Sequence, residues 1–145
     1  LTSKLHDIGK IAIPDRVLQK DNKLEVSEFE YMKMHTTIGA EAIEKAMTLT
    51  EENDFLKYAL QMAKSHHERW DGTGYPEGIA GEKIPLVARI LAVVDVYDAL
   101  TSKRQYKEPM THEEAVKMII NGNGTHFDPK IIKVFSEVHN RLKNL

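Results

Sequence analysis

Six side chains offer this sequence its chemistry: His6, Asp7, His35, His66, His67 and Asp95. All are nitrogen or oxygen donors, they fall in four separate stretches of chain, and four of them stand as adjacent pairs, HD at 6–7 and HH at 66–67. A packed core disfavours neighbouring imidazoles with four ring nitrogens to satisfy. Asp95, flanked by Val93, Val94, Val96 and Tyr97, is costly to bury unless a cation meets it. Adjacent residues on a helix point about 100° apart, so the two members of a pair serve neighbouring ions of a cluster more readily than one ion. A carboxylate, with two oxygens, can bridge. Imidazole and carboxylate without thiolate suit iron, manganese or zinc and argue against a dedicated calcium cage. For any one histidine the plain alternative is a buried, hydrogen-bonded ring, and for Asp95 a buried salt bridge. Four histidines together with two carboxylates point to metal. Asp98, at i+3 from Asp95, shares its helix face and would repel it unless something positive lay near.

Helical elements must position these donors. His6 and Asp7 close a first helical segment, after which Pro14 breaks the chain and Asp15 caps a short helix. Ser27 with Glu30 has the capping-box pattern, predicting a helix through Phe29, Met32, His35, Gly39 and Ile43 toward Met47. Thr50 opens another, running to about His67 with Phe55, Leu56, Ala59, Leu60 and Ala63 on one face. Residues 68–85 hold four of the eight glycines and two prolines and form one long loop, a length that usually signals function or disorder. PLVARILAVVDVYDALTSKR is apolar on nearly every side; its leading proline, its length and its alanines and leucines predict a buried helix. Thr111 and Glu114 box a short helix, and Asp128 with Pro129 starts the last one. His112 and His139 read as exposed helix positions, and His126 as ordering the start of the final helix. With weak strand signal throughout, the fold class is all-α.

The chain has 145 residues, 41% hydrophobic and 29% charged, with a formal net charge of -2. That length supports one domain with an unstapled core. The charge offers no general attraction to a nucleic-acid polymer or an acidic membrane, so any anion site is local. With no cysteine, disulfides and thiolate metal sites are excluded, which suits a reducing cytoplasm. No apolar run approaches a membrane span and no signal peptide opens the chain.

HDIGK at 6–10, His35, HHE at 66–68, DGTGYP at 71–76, ARILAVVDVYDALTSKR and the closing GTHFDP together resemble the HD superfamily of metal-dependent phosphohydrolases, specifically its HD-GYP branch. The resemblance runs from end to end, and the ordered set is far more specific than any single motif. It implies an HD-domain helical bundle with a long GYP loop, and a bacterial cyclic di-GMP phosphodiesterase that forms the linear dinucleotide pGpG and then GMP, using two or three divalent ions, iron or manganese. It further implies that His6, Asp7, His35, His66, His67 and Asp95 ligate metal, that Asp7 bridges two ions and helps hold the attacking hydroxide, and that Lys10, one helical turn beyond His6, stands near the scissile phosphate. Arg104 and Lys107 match positions that grip substrate phosphates; Arg offers a planar fork and Lys a point charge. Gly74, Tyr75, Pro76 and Asp98 complete the substrate contacts, with Tyr75 either stacking on a base or sealing the loop. Thr36 and Gln105 stand where the family often has proline, a change expected to loosen a turn.

The chain begins at Leu1, within an apparent helix, five residues ahead of His6. The family supplies further ligands, a histidine and often a glutamate, from upstream helices. The expectation is therefore a single HD-GYP domain over 1–145, truncated at its N-terminus and a poor enzyme by itself. A sensor or receiver domain upstream and GGDEF-type proteins are the expected partners, and cytoplasmic the expected location, with membrane tethering open to the full-length protein. Two alternatives stand beside this one: an HD hydrolase for a different nucleotide, and a degenerate HD-GYP module that binds without turnover.

Overall fold

The computed structural model describes residues 2–20, 22–51, 53–103 and 108–144. Two short 3-10 segments, Thr2–Leu5 and Ile8–Ala12, lead into six helices: α1 (Asp15–Leu18), α2 (Val26–Thr48), α3 (Asp54–Ser65), α4 (Leu86–Thr101), α5 (His112–Asn121) and α6 (Pro129–Val138). Further 3-10 turns cover Gly81–Lys83 and His139–Asn144. Among the described residues there is no strand, only a single bridge between Asn123 and Phe127, and no helix long and apolar enough to cross a membrane.

Two of the expected helix starts move. α2 is capped by Glu25, not by Ser27: the Glu25 amide donates to Glu28 at 2.8 Å and the Glu25 carboxylate takes the reciprocal bond. Lys20, bonded to Glu28, fixes the box two residues earlier than the serine pattern suggests. α3 is capped by Asn53, whose side chain accepts from the Phe55 amide at 2.8 Å. Thr50 instead finishes α2, its hydroxyl donating to the Ala46 carbonyl. The boxes at Thr111 and Glu114 and the cap at Asp128 form as the sequence predicts. Thr36 lies in no turn; it is buried midway along α2 with its hydroxyl donating to the Lys33 carbonyl.

Burial separates the helices into two packed groups. Ile43, Ala59 and Ala63 join α2 to α3, with Leu5, Met47, Leu56 and Leu60 around them. Ala92, Val93, Leu100, Val116, Ile119, Ile132 and Phe135 join α4, α5 and α6. α3 packs on α4 and links the groups. α4 is a helix as expected but is buried on one side only: Leu86, Ile90 and Val94, four residues apart, leave an apolar stripe exposed. The 3-10 segment Ile8–Ala12 lies so close on α2 that Gly9 and Gly39 meet backbone to backbone.

The loop between α3 and α4 is fastened along its length. Trp70 and Asp71 donate their amides to the carbonyls of His126 and Thr125, at 3.1 and 2.9 Å, and Gly81 donates back to Trp70. Arg89 of α4 bonds Asp128 at 2.6 Å, and its guanidinium lies over the Trp70 ring. His126 thus helps order the region before α6 through its carbonyl, while its ring stacks on Phe127.

Candidate metal centre

The turn between the two 3-10 segments, α2, the end of α3 and α4 deliver His6/Asp7, His35, His66/His67 and Asp95 into one cluster. Donor atoms of His35, His66 and His67 lie within 4.8 Å of one another, as do those of His6, Asp7 and His66, so His66 belongs to both sets. Asp7 faces both ways. Its Oδ1 is buried without a hydrogen-bond donor, 3.5 Å from His35 Nε2 and 3.8 Å from His66 Nε2, while Oδ2 meets His6 Nε2 at 3.3 Å and Lys10 Nζ at 2.6 Å. Asp95 Oδ1 lies 3.6 Å from His6 Nε2.

Tautomers follow from the backbone. His35 Nδ1 donates to the Met32 carbonyl at 2.6 Å, and His66 Nδ1 to Met62 at 2.8 Å. Each ring therefore turns a bare Nε2 lone pair inward, and these two nitrogens stand 3.3 Å apart. Two lone pairs at that distance repel. Two nitrogens on one ion in tetrahedral array, with bonds of about 2.0–2.1 Å, would be about 3.3 Å apart. The orphaned Asp7 oxygen, the facing lone pairs and the all-N/O donor set fit a divalent cation, and carbonyl partners on the far ring nitrogens are the usual support for ligating histidines.

Burial holds these rings neutral. It pushes the His66 pKa down to about 4 and that of His67 down to about 3, with neighbouring imidazoles adding to the effect, and it lowers His35 as well. Burial would raise the Asp7 carboxyl, but His6 and Lys10 outweigh it and hold it well below the usual carboxylate range. Asp95 is lowered chiefly by its bond to His6. In the metal-free protein the unfolded chain binds more protons than the folded one between pH 6.5 and about 4, so stability falls with acidification through that window. For His66 alone the loss from pH 7 to pH 5 is about 2 kcal/mol. Urea midpoints of chelated protein should fall accordingly; equal midpoints at the two pH values would contradict neutral burial.

The GYP segment walls one side. Tyr75 stacks on His67, ring centroids 4.8 Å apart, its amide donates to the His67 carbonyl, and its bond to Pro76 is cis. Gly74 permits this: a Cβ there would sit 2.4 Å from the Arg69 nitrogen and 2.5 Å from the His67 oxygen. Burial raises the Tyr75 hydroxyl pKa. On another side, Lys4, His6, Leu91, Val94, Asp95 and Asp98 line a cleft of about 420 Å³. Asp98 is exposed there and accepts from Ser102. Arg104 and Lys107, with Gln105, lie outside the described residues.

Other features were not visible in the sequence. Glu68, the acid of HHE, is buried and accepts the Glu77 amide at 2.7 Å, tying the loop beyond Pro76 back to the histidine pair. Its position beside His67 was the only signal. His112 and His139 are not exposed helix positions. They are half-buried and bonded ring to ring at 3.0 Å, with the Tyr97 hydroxyl on His112, a contact that helical spacing cannot reveal across 27 residues.

Comparison with known proteins places the chain in a family. The HD domain family matches residues 1–131. A probable cyclic di-GMP phosphodiesterase of Vibrio cholerae is 51% identical over 132 residues, 90% of this chain and 30% of that protein. A 3'3'-cGAMP-specific phosphodiesterase of the same organism is 40% identical over 93% of this chain and 25% of its own length. The chain thus spans under a third of either relative. The crystal structure of a V. cholerae cyclic GMP-AMP-specific phosphodiesterase superposes with a TM-score of 0.57 at 23% identity, covering 95% of this chain and 36% of that one, which establishes the shared all-α fold.

Proposed function

The chain belongs to the HD-domain family, in its HD-GYP branch, a divalent-metal-binding fold, and from that membership we propose that it hydrolyses cyclic di-GMP to linear pGpG and onward to GMP. One observation carries the metal-dependent chemistry: two three-donor sets that share His66, one of them holding Asp7 with its orphaned oxygen. His6, Asp7, His35, His66, His67 and Asp95 would hold two or three ions, for which iron or manganese suits the donors. Bound there, such ions supply Lewis acidity toward phosphoryl oxygens and make water nucleophilic near neutral pH.

The chain's own residues supply the rest. Met32 and Met62 carbonyls keep the His35 and His66 lone pairs aimed inward. Asp7 offers one oxygen to that pair and the other to His6 and Lys10, which suits a bridging role. Lys10 keeps its ammonium partly exposed beside Asp7, where it can meet phosphate charge or the leaving oxygen. Gly74, Tyr75 and Pro76 restrict water on the His67 side. Asp98 offers acceptor oxygens to the N–H donors of a guanine edge, and Arg104 and Lys107 would grip phosphate. The 3'3'-cGAMP name of a 40% identical relative favours one second substrate.

Metal-loaded full-length protein incubated with each cyclic dinucleotide tests this by product chromatography. Formation of pGpG that stops on chelation is expected. Intact cyclic di-GMP with metal bound would point to the non-catalytic module, and cleavage of 3'3'-cGAMP alone to the second substrate. Replacing Arg104 and Lys107 with alanine should weaken substrate by one to two decades per residue, from charge-assisted contacts of about 1.5–3 kcal/mol, with metal content unchanged.

A further inference from the structure

The ring row that begins at the metal centre does not end at Tyr75. Tyr75 is half-buried, with His67 stacked on it and the Lys33 ammonium 5.7 Å from its centroid. Phe29 of α2 stands edge-on to Tyr75 at 6.1 Å, and the same Lys33 lies 5.7 Å from its ring. Glu30 holds Lys33 in place at 2.7 Å. Although the sequence pattern sets Phe29 on the inner face of α2, the residue is 46% exposed. Beside it opens a largely apolar cleft of about 440 Å³ lined by Leu24, Val26, Phe29 and Lys23.

We propose that Phe29, with Lys23 and Lys33, forms a subsite for one guanine base of the substrate. The assignment rests on the cyclic-dinucleotide function proposed above and adds a base-recognition element to it. A nucleotide whose phosphate lies at the His66 cluster has its base displaced to one side, and Phe29 is two ring contacts from His67. The subsite combines a half-exposed aromatic ring, apolar walls, Lys23 at the cleft and Lys33 against the ring. Stacking on such a ring is tolerant of any base. The cations select: guanine presents two adjacent acceptors, O6 and N7, where adenine replaces one by an amino donor, so lysines at the rim favour guanine. An apolar peptide or hydrocarbon chain would have no use for Lys23 at the cleft wall or for Lys33 beside the ring.

Phe29 and Lys23 are exposed and Lys33 is half-buried outside the helix cores, so substitution should leave folding and metal content intact. In metal-loaded full-length protein, Phe29→Ala should raise the Kd for cyclic di-GMP about ten- to a hundred-fold, equivalent to about 1.4–2.7 kcal/mol. A cyclic dinucleotide carrying 2-aminopurine should lose fluorescence on binding the unaltered protein, keep it with Phe29→Ala, and lose it again with Phe29→Trp. Changing Lys23 and Lys33 together to glutamine should erase the preference for cyclic di-GMP over cyclic di-AMP. Unchanged affinity and quenching in Phe29→Ala would overturn the subsite and leave the proposed function standing, as would loss of metal in that variant, which would make Phe29 a packing residue. An unaltered, metal-loaded protein that binds no cyclic dinucleotide would overturn both.

Discussion

Replacing His66 with alanine is expected to empty the metal centre and stop turnover together. His66 is the one side chain common to both donor sets, and its ring is fixed by two carbonyls, Met62 at 2.8 Å and Ala63 at 3.2 Å. Without it, the inward lone pair of His35 and the orphaned oxygen of Asp7 lose the neighbour with which they converge. A fall in kcat/KM on the order of a thousand-fold, about 4 kcal/mol of transition-state stabilisation, is the expected outcome, with metal content falling in parallel by elemental analysis. The metal-free variant should moreover be less acid-sensitive than the unaltered protein, because a ring whose neutral burial is lost on protonation has been removed. His66→Gln, nearer in volume, separates packing from ligation: it should fold as well as the parent and still hold little metal. Full metal and full turnover in either variant would refute the shared-ligand geometry.

A second large effect is expected from the smallest substitution. A methyl group at Gly9 would lie 1.9 Å from the His35 carbonyl oxygen and 2.6 Å from the Gly39 nitrogen. Both belong to the backbone of α2 and cannot swing aside as a side chain would. The 3-10 turn Ile8–Ala12 must then lift, drawing Asp7 away from His35 Nε2, now 3.5 Å distant. Overpacking of this kind typically costs about 1–3 kcal/mol, occasionally more. At the upper end that is about 10 °C in Tm for a domain of this size, with weakened metal loading besides. Gly39→Ala is the control, since its methyl would come no closer than 3.2 Å, to the Gly9 nitrogen, and should cost less. Thermal melts and metal analysis of the two variants check the order; an unchanged Gly9→Ala would mean the turn has slack that the packing does not show.

The candidate donors stood out in the sequence because imidazoles and carboxylates are costly to bury, so two adjacent pairs, a histidine within a helix and an aspartate in an apolar run drew attention by their placement, and the structure brings their side chains together. Helix identity was legible for the same kind of reason, through proline, capping residues and apolar spacing. What escaped were features decided by partners distant in the chain. Glutamate is a weak N-cap by propensity, and Glu25 takes that place with Lys20 holding Glu28. The run at 86–101 is apolar on nearly every side, yet α3 and α5 cover only part of it and leave Leu86, Ile90 and Val94 exposed. The ring contact between His112 and His139, and the grip of Glu68 on the Glu77 amide, have no periodic signature. Phe29 fits the inner pattern of α2 but sits where that helix passes Tyr75, outside the packed core.

The fastening of the GYP loop also sets a rule about length. Surface loops usually absorb insertions and deletions. Here the amides of Trp70, Asp71, Tyr75, Glu77 and Gly81 each meet a fixed acceptor, on His126, Thr125, His67, Glu68 and Trp70 in turn, so residues are counted off like rungs. One residue more or less between His67 and Tyr75 would shift every later amide onto the wrong acceptor and carry the tyrosine off the imidazole. Homologous chains that keep the site should therefore vary in loop length after Gly81 and hold constant the spacing before it, as a helix does between its ligands.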